Sequence, residues 1–221
     1  MKTSLIRPLL ALTVCAGLAG VTGLGSASAA APCNLVKDPA GDTSVLPGGV
    51  VKDDALDITS VDVATDKKRI TSVIRVKKLA ARPTSTPGGA LWQVNFSAND
   101  VVFSMSAHSL ASGEIVYTSS YEMAAGGSLY PGGTTGVFDL AKNEIRMTAP
   151  LALFGSEANI RSGKTVISGL SGNTGVEFVI PDTPNRVFGS PILTYAPISA
   201  DETTGGKDYK AGTASCVPVG K

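Results

Sequence analysis

Apolar and polar residues alternate along most of this 221-residue chain, in short runs separated by glycine, proline, asparagine, aspartate and serine. Such alternation is what a half-buried strand requires, because successive side chains point to opposite faces of a sheet. Residues 56–63 follow it with Ile58 and Val61 out of phase, which predicts a bulge at Thr59-Ser60. Residues 70–76 resume the pattern after the charged tip Lys67-Lys68-Arg69, so the two runs are predicted to pair as a hairpin. After a loop at 83–89, Trp92, Val94 and Phe96 alternate with Gln93 and Asn95. Val101, Phe103, Met105 and Ala107 then alternate with Ser104, Ser106 and His108, and a turn at Ser112-Gly113 leads into Ile115-Val116-Tyr117.

The glycine-rich stretch 126–136 turns or wanders, and residues 136–140 and 144–148 form a second hairpin pattern around Lys142-Asn143. Pro150 to Gly155 is the best helical candidate, since proline suits a first helical turn and glycine a stop. Late strands are predicted at 165–170, 176–180 and 192–195, ahead of a polar stretch at 201–208. No segment has the length and 3.6-residue period of a major helix. Together these runs predict an all-β protein, a single mostly antiparallel β-sandwich of jelly-roll-like kind, with its two ends tied by a disulfide.

The tie comes from cysteine arithmetic. Lys2 and Arg7, the apolar stretch 8–24 and the small residues Ala27-Ser28-Ala29 have the layout of a secretory signal peptide, so residues 1–29 are predicted to be cleaved and 30–221 to form the one domain. Cys15 falls inside that leader, and the Val14 before it does not suit a lipoprotein site. Cys33 and Cys216 are then the single intramolecular pair, which an oxidising compartment outside the cell would join. No apolar run after the leader approaches the roughly twenty residues of a membrane span.

Charge narrows the partners. Without the two leader cations the chain carries 17 Lys+Arg against 18 Asp+Glu, a net charge of minus one with no basic stripe, which argues against nucleic acid and anionic membrane surfaces. The only histidine, His108, has no G-x-S-x-G elbow beside it and no further histidine to share a zinc ion, so hydrolase triads and multi-histidine metal sites have no material. Gly163-Lys164-Thr165 ends like a phosphate-binding loop, yet Ala158 stands where its first glycine belongs. Paired carboxylates remain the one route to acid–base chemistry, and the sequence alone does not pair them.

Two candidate sites emerge. Asp38-Pro39-Ala40-Gly41-Asp42 puts two carboxylates around a Pro/Gly turn, and Asp53, Asp54 and Asp57 follow. Calcium gathers six to eight oxygens from such loops, so Asp38, Asp42 and Asp57 are the candidate ligands; the alternative is that these aspartates structure their own turn. Tyr121 and Tyr130, near the glycine-rich stretch, are the candidates for an exposed aromatic platform that would stack on a sugar, whereas Trp92 is in phase with core residues.

The opening motif Asp38 to Asp42, the run 56–63 and the strand at 70–79 resemble secreted bacterial β-sandwich domains of the DOMON and family-nine carbohydrate-binding-module kind. The ending, Asp201, Tyr209-Lys210-Ala211-Gly212 and Ser215-Cys216, resembles that of secreted actinobacterial proteins with the same opening. Such folds bind sugars, haem or calcium, or serve as cell-surface modules. Haem would call on His108 with Met105, Met123 or Met147. The expectation is a secreted, non-enzymatic binding module, calcium-stabilised, with a carbohydrate or cell-envelope glycan as ligand. Its alternatives are a structural or interaction protein of the cell surface that has no small ligand and meets a surface protein, and a hydrolase using paired carboxylates.

Overall fold

A computed structural model describes residues 33–43, 52–80, 89–110, 112–122, 126–154, 159–176, 186–187, 190–191 and 198–220. The chain divides into Met1–Ala30 and Ala31–Lys221. The expected signal peptide, the strand expected at 192–195 and all but the first residue of the strand expected at 176–180 lie outside the described residues.

The regular structure among the described residues is nearly all β. In chain order the strands are β1 (Val36–Lys37), β2 (Ile58–Thr65), β3 (Arg69–Val76), β4 (Gly89–Ala98), β5 (Val101–Leu110), β6 (Ile115–Glu122), β7 (Ser128–Leu129), β8 (Thr135–Asp139), β9 (Glu144–Pro150), β10 (Val166–Val176), β11 (Arg186–Val187), β12 (Ser190–Pro191), β13 (Ile198–Glu202) and β14 (Tyr209–Lys210). Five of them form one sheet in the order β1-β2-β3-β9-β8, and seven form a second, β13-β10-β4-β5-β6-β7 with β14 also on β10. Every pairing in both sheets is antiparallel. The β11–β12 hairpin stands apart.

Alternation decides which face of each strand is inside. From the five-stranded sheet Ile58, Val61, Val63, Ile70, Ile74, Ile145 and Met147 point inward, and they meet Trp92, Val94, Phe96, Phe103, Met105 and Leu170 of the seven-stranded sheet in one buried cluster. The predicted hairpins β2–β3 and β8–β9 both form, and the ladder slips between Ile58 and Ser60, where the out-of-phase residues place a bulge.

The helical candidate at 150–155, long enough for one turn or two, forms one 3-10 turn, Leu151–Phe154. Where a strand ending at residue 170 and a fresh one from 176 were expected, β10 runs unbroken from Val166 to Val176, and among its glycines Gly172 has a packing reason. A Cβ at Gly172 would sit 2.7 Å from Val61 Cγ2 on the facing sheet, so the two layers approach as they do only because that position has no side chain. The polar stretch from 201 also begins inside a strand, because β13 pairs Asp201 with Thr174 of β10.

Cys33 and Cys216 are disulfide-bonded with Cα atoms 5.5 Å apart across 183 residues of sequence. Beyond the bridge the tail crosses the outside of the five-stranded sheet, where Val217 and Val219 cover Ala64 and Val73 and the Gly220 N–H donates to Thr71 Oγ1 at 3.1 Å. Among the described residues no helix is long and apolar enough to cross a membrane.

Candidate functional site

The turn after β1 is built by the residues that the sequence marks. Pro39 fixes one backbone angle, and Gly41 takes a φ of 101° that side chains rarely adopt. Asp57, buried just before β2, accepts the Gly41 N–H with both carboxylate oxygens, at 2.9 and 2.8 Å. The Asp38 N–H donates to Thr59 O at 3.1 Å, which ties the start of the turn to β2. Asp57 is therefore the anchor of the turn, with Lys77 Nζ 3.8 Å away on its other side.

Asp201 arrives from the far end of the chain. Its Oδ2 accepts the Ile58 N–H at 2.7 Å and its Oδ1 accepts the Glu202 N–H at 2.9 Å, so this carboxylate on β13 bridges one sheet to the first residue of β2 in the other. One carboxylate oxygen from each of Asp38, Asp42 and Asp201 lies within 4.8 Å of the others. The expected trio was Asp38, Asp42 and Asp57. Two of its members converge; the third place belongs to Asp201, with Asp57 behind them holding the turn.

The electrostatics of this corner are uncompensated. Asp38 Oδ2 is buried, and among the described residues nothing hydrogen-bonds it. Burial first, then the charges of Asp201, Asp42 and Asp57, push the Asp38 carboxyl up to about 6. Burial also raises the Asp201 carboxyl, against the pull of the Ile58 N–H, with Asp42 adding to the rise. Two lysines reach this turn without pairing with Asp38: Lys52 Nζ donates to Gly41 O at 3.4 Å, and Lys77 Nζ lies 2.8 Å from Asp54 and 3.8 Å from Asp57. An orphaned buried oxygen among three converging carboxylates is a donor set that suits a hard divalent cation. Oxygens sharing one calcium at 2.3–2.6 Å lie at most about 5 Å apart, as these do.

The aromatic expectation fares differently. Tyr121 turns inward, its ring 6.2 Å from both Phe103 and Phe154, so it belongs to the rim of the core. Tyr130 is 70% exposed. The expected two-ring platform does not form. Trp92 is fully buried, edge-on to Phe138, and donates from Nε1 to Ala55 O at 2.8 Å. A haem pair has no footing either, because Met105 points into the core while His108, three residues on, lies on the opposite face with its Nε2 3.3 Å from Thr118 Oγ1. Met147 is buried in the core and Met123 lies outside the described residues.

A cavity of about 250 Å³ opens on the outer face of the five-stranded sheet, lined in part by Arg69, Arg146, Thr135, Thr148 and Gly220. Both guanidinium groups are already paired, Arg69 with Asp66 at 3.2 Å and Arg146 with Glu144 at 2.5 Å. Arg69 begins β3 opposite the end of β2, whereas the acidic corner meets the start of β2, which puts the two features roughly 20 Å apart along the strands.

Comparison with protein-family models, with curated proteins and with solved structures finds no match to this chain. What the fold and the corner define is an all-β sandwich, closed by a disulfide between its ends, with three carboxylates gathered where its first turn meets β13.

Proposed function

We propose that the protein is an exported, non-enzymatic binding module whose first turn is held by a divalent cation, calcium by its ligand chemistry, and whose partner is an extracellular glycan. The observation that carries the cation is Asp38 Oδ2, a buried acceptor with no hydrogen bond beside two further carboxylates. Asp38, Asp42 and Asp201 would hold the ion, and its charge would offset the repulsion that raises the Asp38 carboxyl. Such an ion joins a turn of one sheet to a strand of the other, which is a structural role.

Binding is favoured over hydrolysis because Asp57 and Asp201 both spend their carboxylate oxygens on backbone N–H groups of the fold. Export is supported by the disulfide and by the leader-like layout of residues 1–29.

Thermal melting of the mature protein in excess calcium, excess magnesium and a chelator tests the reading. Calcium at a hundredfold excess over its dissociation constant should add about 2.7 kcal/mol, with magnesium giving less. Asp42→Asn and Asp201→Asn should each diminish the gain, and coincident melts of the parent protein in calcium and chelator would overturn the cation. Sequencing the N-terminus of the protein recovered from culture medium should find it starting just after Ala29.

A further inference from the structure

Resting on the reading of the protein as a glycan-binding module, we propose that the outer face of the seven-stranded sheet is the docking surface for a neutral, polyhydroxylated polymer. Eight outward positions on its central strands are polar and carry no charge. Asn173, Gln93, Ser106 and Thr118 stand side by side in one cross-strand row over β10, β4, β5 and β6. Two residues along, Ser171, Asn95, Ser104 and Ser120 form a second row. Adjacent strands lie about 4.8 Å apart and rows about 6.7 Å apart, so the eight side chains, Ser106 buried and the other seven half-buried, lie in a patch roughly 14 Å wide. The row on one side of these holds Leu91, His108 and Val116 and the row on the other Ser97 and Val102, and acidic charge enters at the margins, where Glu202 continues the first row on β13 and Glu122 follows Tyr121 at the end of β6.

The opposite sheet shows that this is a property of the face. Its outer rows carry Ser60, Arg75, Glu144 and Asp139, then Asp62, Val73, Arg146 and Val137, with Arg75 bonded to Asp62 at 2.6 Å and to Glu144 at 3.0 Å. One sheet face thus carries ion pairs, and the other has amides and hydroxyls at its centre, bordered by Leu91, Val102, Val116 and His108.

Charge complementarity selects the occupant. Amides and hydroxyls offer donors and acceptors together, as sugar hydroxyls do, and no ion has to be stripped of water when the two meet. Serine, threonine and asparagine are short and lose little rotamer freedom on contact. Existing bonds within the face, Ser104 Oγ to Asn95 Oδ1 at 2.7 Å and Asn173 Nδ2 to Ser199 Oγ at 3.1 Å, hold the amides in place. Aromatic stacking contributes little here, because Trp92, Phe96, Phe103, Tyr117 and Tyr121 all pack inward.

The test is retention of the mature protein, with calcium present, on microcrystalline cellulose, chitin, an insoluble β-1,3-glucan and mannan, beside charged carboxymethyl-cellulose and chitosan. Retention is expected on a neutral polymer and should persist in 1 M sodium chloride. Gln93→Lys or Asn95→Lys should cut the bound fraction about tenfold, the loss of about 1.4 kcal/mol, while Val137→Lys on the other sheet should not. Should either face variant melt several degrees low, Ser104→Ala combined with Ser120→Ala removes two hydroxyls without adding charge. Retention confined to the charged polymers and lost in salt, or no retention on any neutral polymer, overturns the inference. Face variants that bind like the parent overturn it too, while leaving the glycan reading standing. A calcium gain in melting with no polymer bound separates failure of this surface from failure of the cation.

Discussion

Replacing Asp38 by asparagine should stabilise the metal-free protein while abolishing its response to calcium. Asp38 is raised from 3.8 to about 6, so keeping it ionised at neutral pH costs stability. At about 1.36 kcal/mol per pH unit the unscreened cost is about 3 kcal/mol; the carboxyl is partly solvated, and screening reduces this to about 1 kcal/mol. In a domain of this size that is a rise of about 2–4 °C for Asp38→Asn in chelator at pH 7.5. The sign with pH follows from the direction of the shift. Between pH 3.8 and 6 the folded form holds the proton and the unfolded form releases it, so this group adds stability as pH falls through 6 and withdraws it as pH rises. In chelator the parent protein should therefore gain on the variant as pH drops from 7.5 to 5, until the two melt together. Differential scanning calorimetry of both proteins at the two pH values, with and without calcium, reads all four corners. Should Asp38→Asn melt lower than the parent in chelator at pH 7.5, the corner is already compensated and the reasoning fails.

Opening the Cys33–Cys216 bridge should lower the melting temperature, because it closes a loop of 183 residues whose chain-entropy contribution is at most about 5 kcal/mol. Melting in a thiol reductant, or of the double serine variant, checks this, and an unchanged melt would mean that the bridge contributes nothing. Ser72 is fully buried on β3, between Val63 and Met147 in the ladder, with no partner for its hydroxyl among the described residues, so Ser72→Ala should raise stability by about 1 kcal/mol in denaturant unfolding. A lower midpoint for that variant would show that the hydroxyl is satisfied.

Local chemistry made much of the sandwich legible. The hairpins β2–β3 and β8–β9 follow from alternation interrupted by charged or turn-forming residues, and the bulge at Thr59-Ser60 from a phase error visible in the sequence itself. β10 was harder to read, since Gly169, Gly172 and Gly175 look like punctuation along a single chain. Only the facing sheet explains Gly172, whose missing side chain makes room for Val61. Strand propensity here is overridden by packing between layers, which no window of sequence contains.

The acidic corner divides along the same line. Asp38 and Asp42 share one turn, so their nearness is local and was readable. Whether Asp57 or Asp201 completes the group depends on which backbone N–H groups each carboxylate satisfies. Asp57, sixteen residues from Gly41, turns both oxygens to that amide, while Asp201 reaches Ile58 across 143 residues and brings its charge beside Asp38. A polar stretch late in the chain gives no hint of this, because the signal is the pairing of β13 with β10 at the sandwich edge. If the corner holds a cation, the ion closes the same junction that the disulfide closes from the other direction, the meeting of the first strand region with the last. Loss of either should then weaken the other's effect: calcium should stabilise the bridged protein more than the reduced one, because ordering the 38–42 turn requires the chain on both sides of it to be held. Equal calcium gains with the bridge open and closed would show that the two fastenings act on separate parts of the fold.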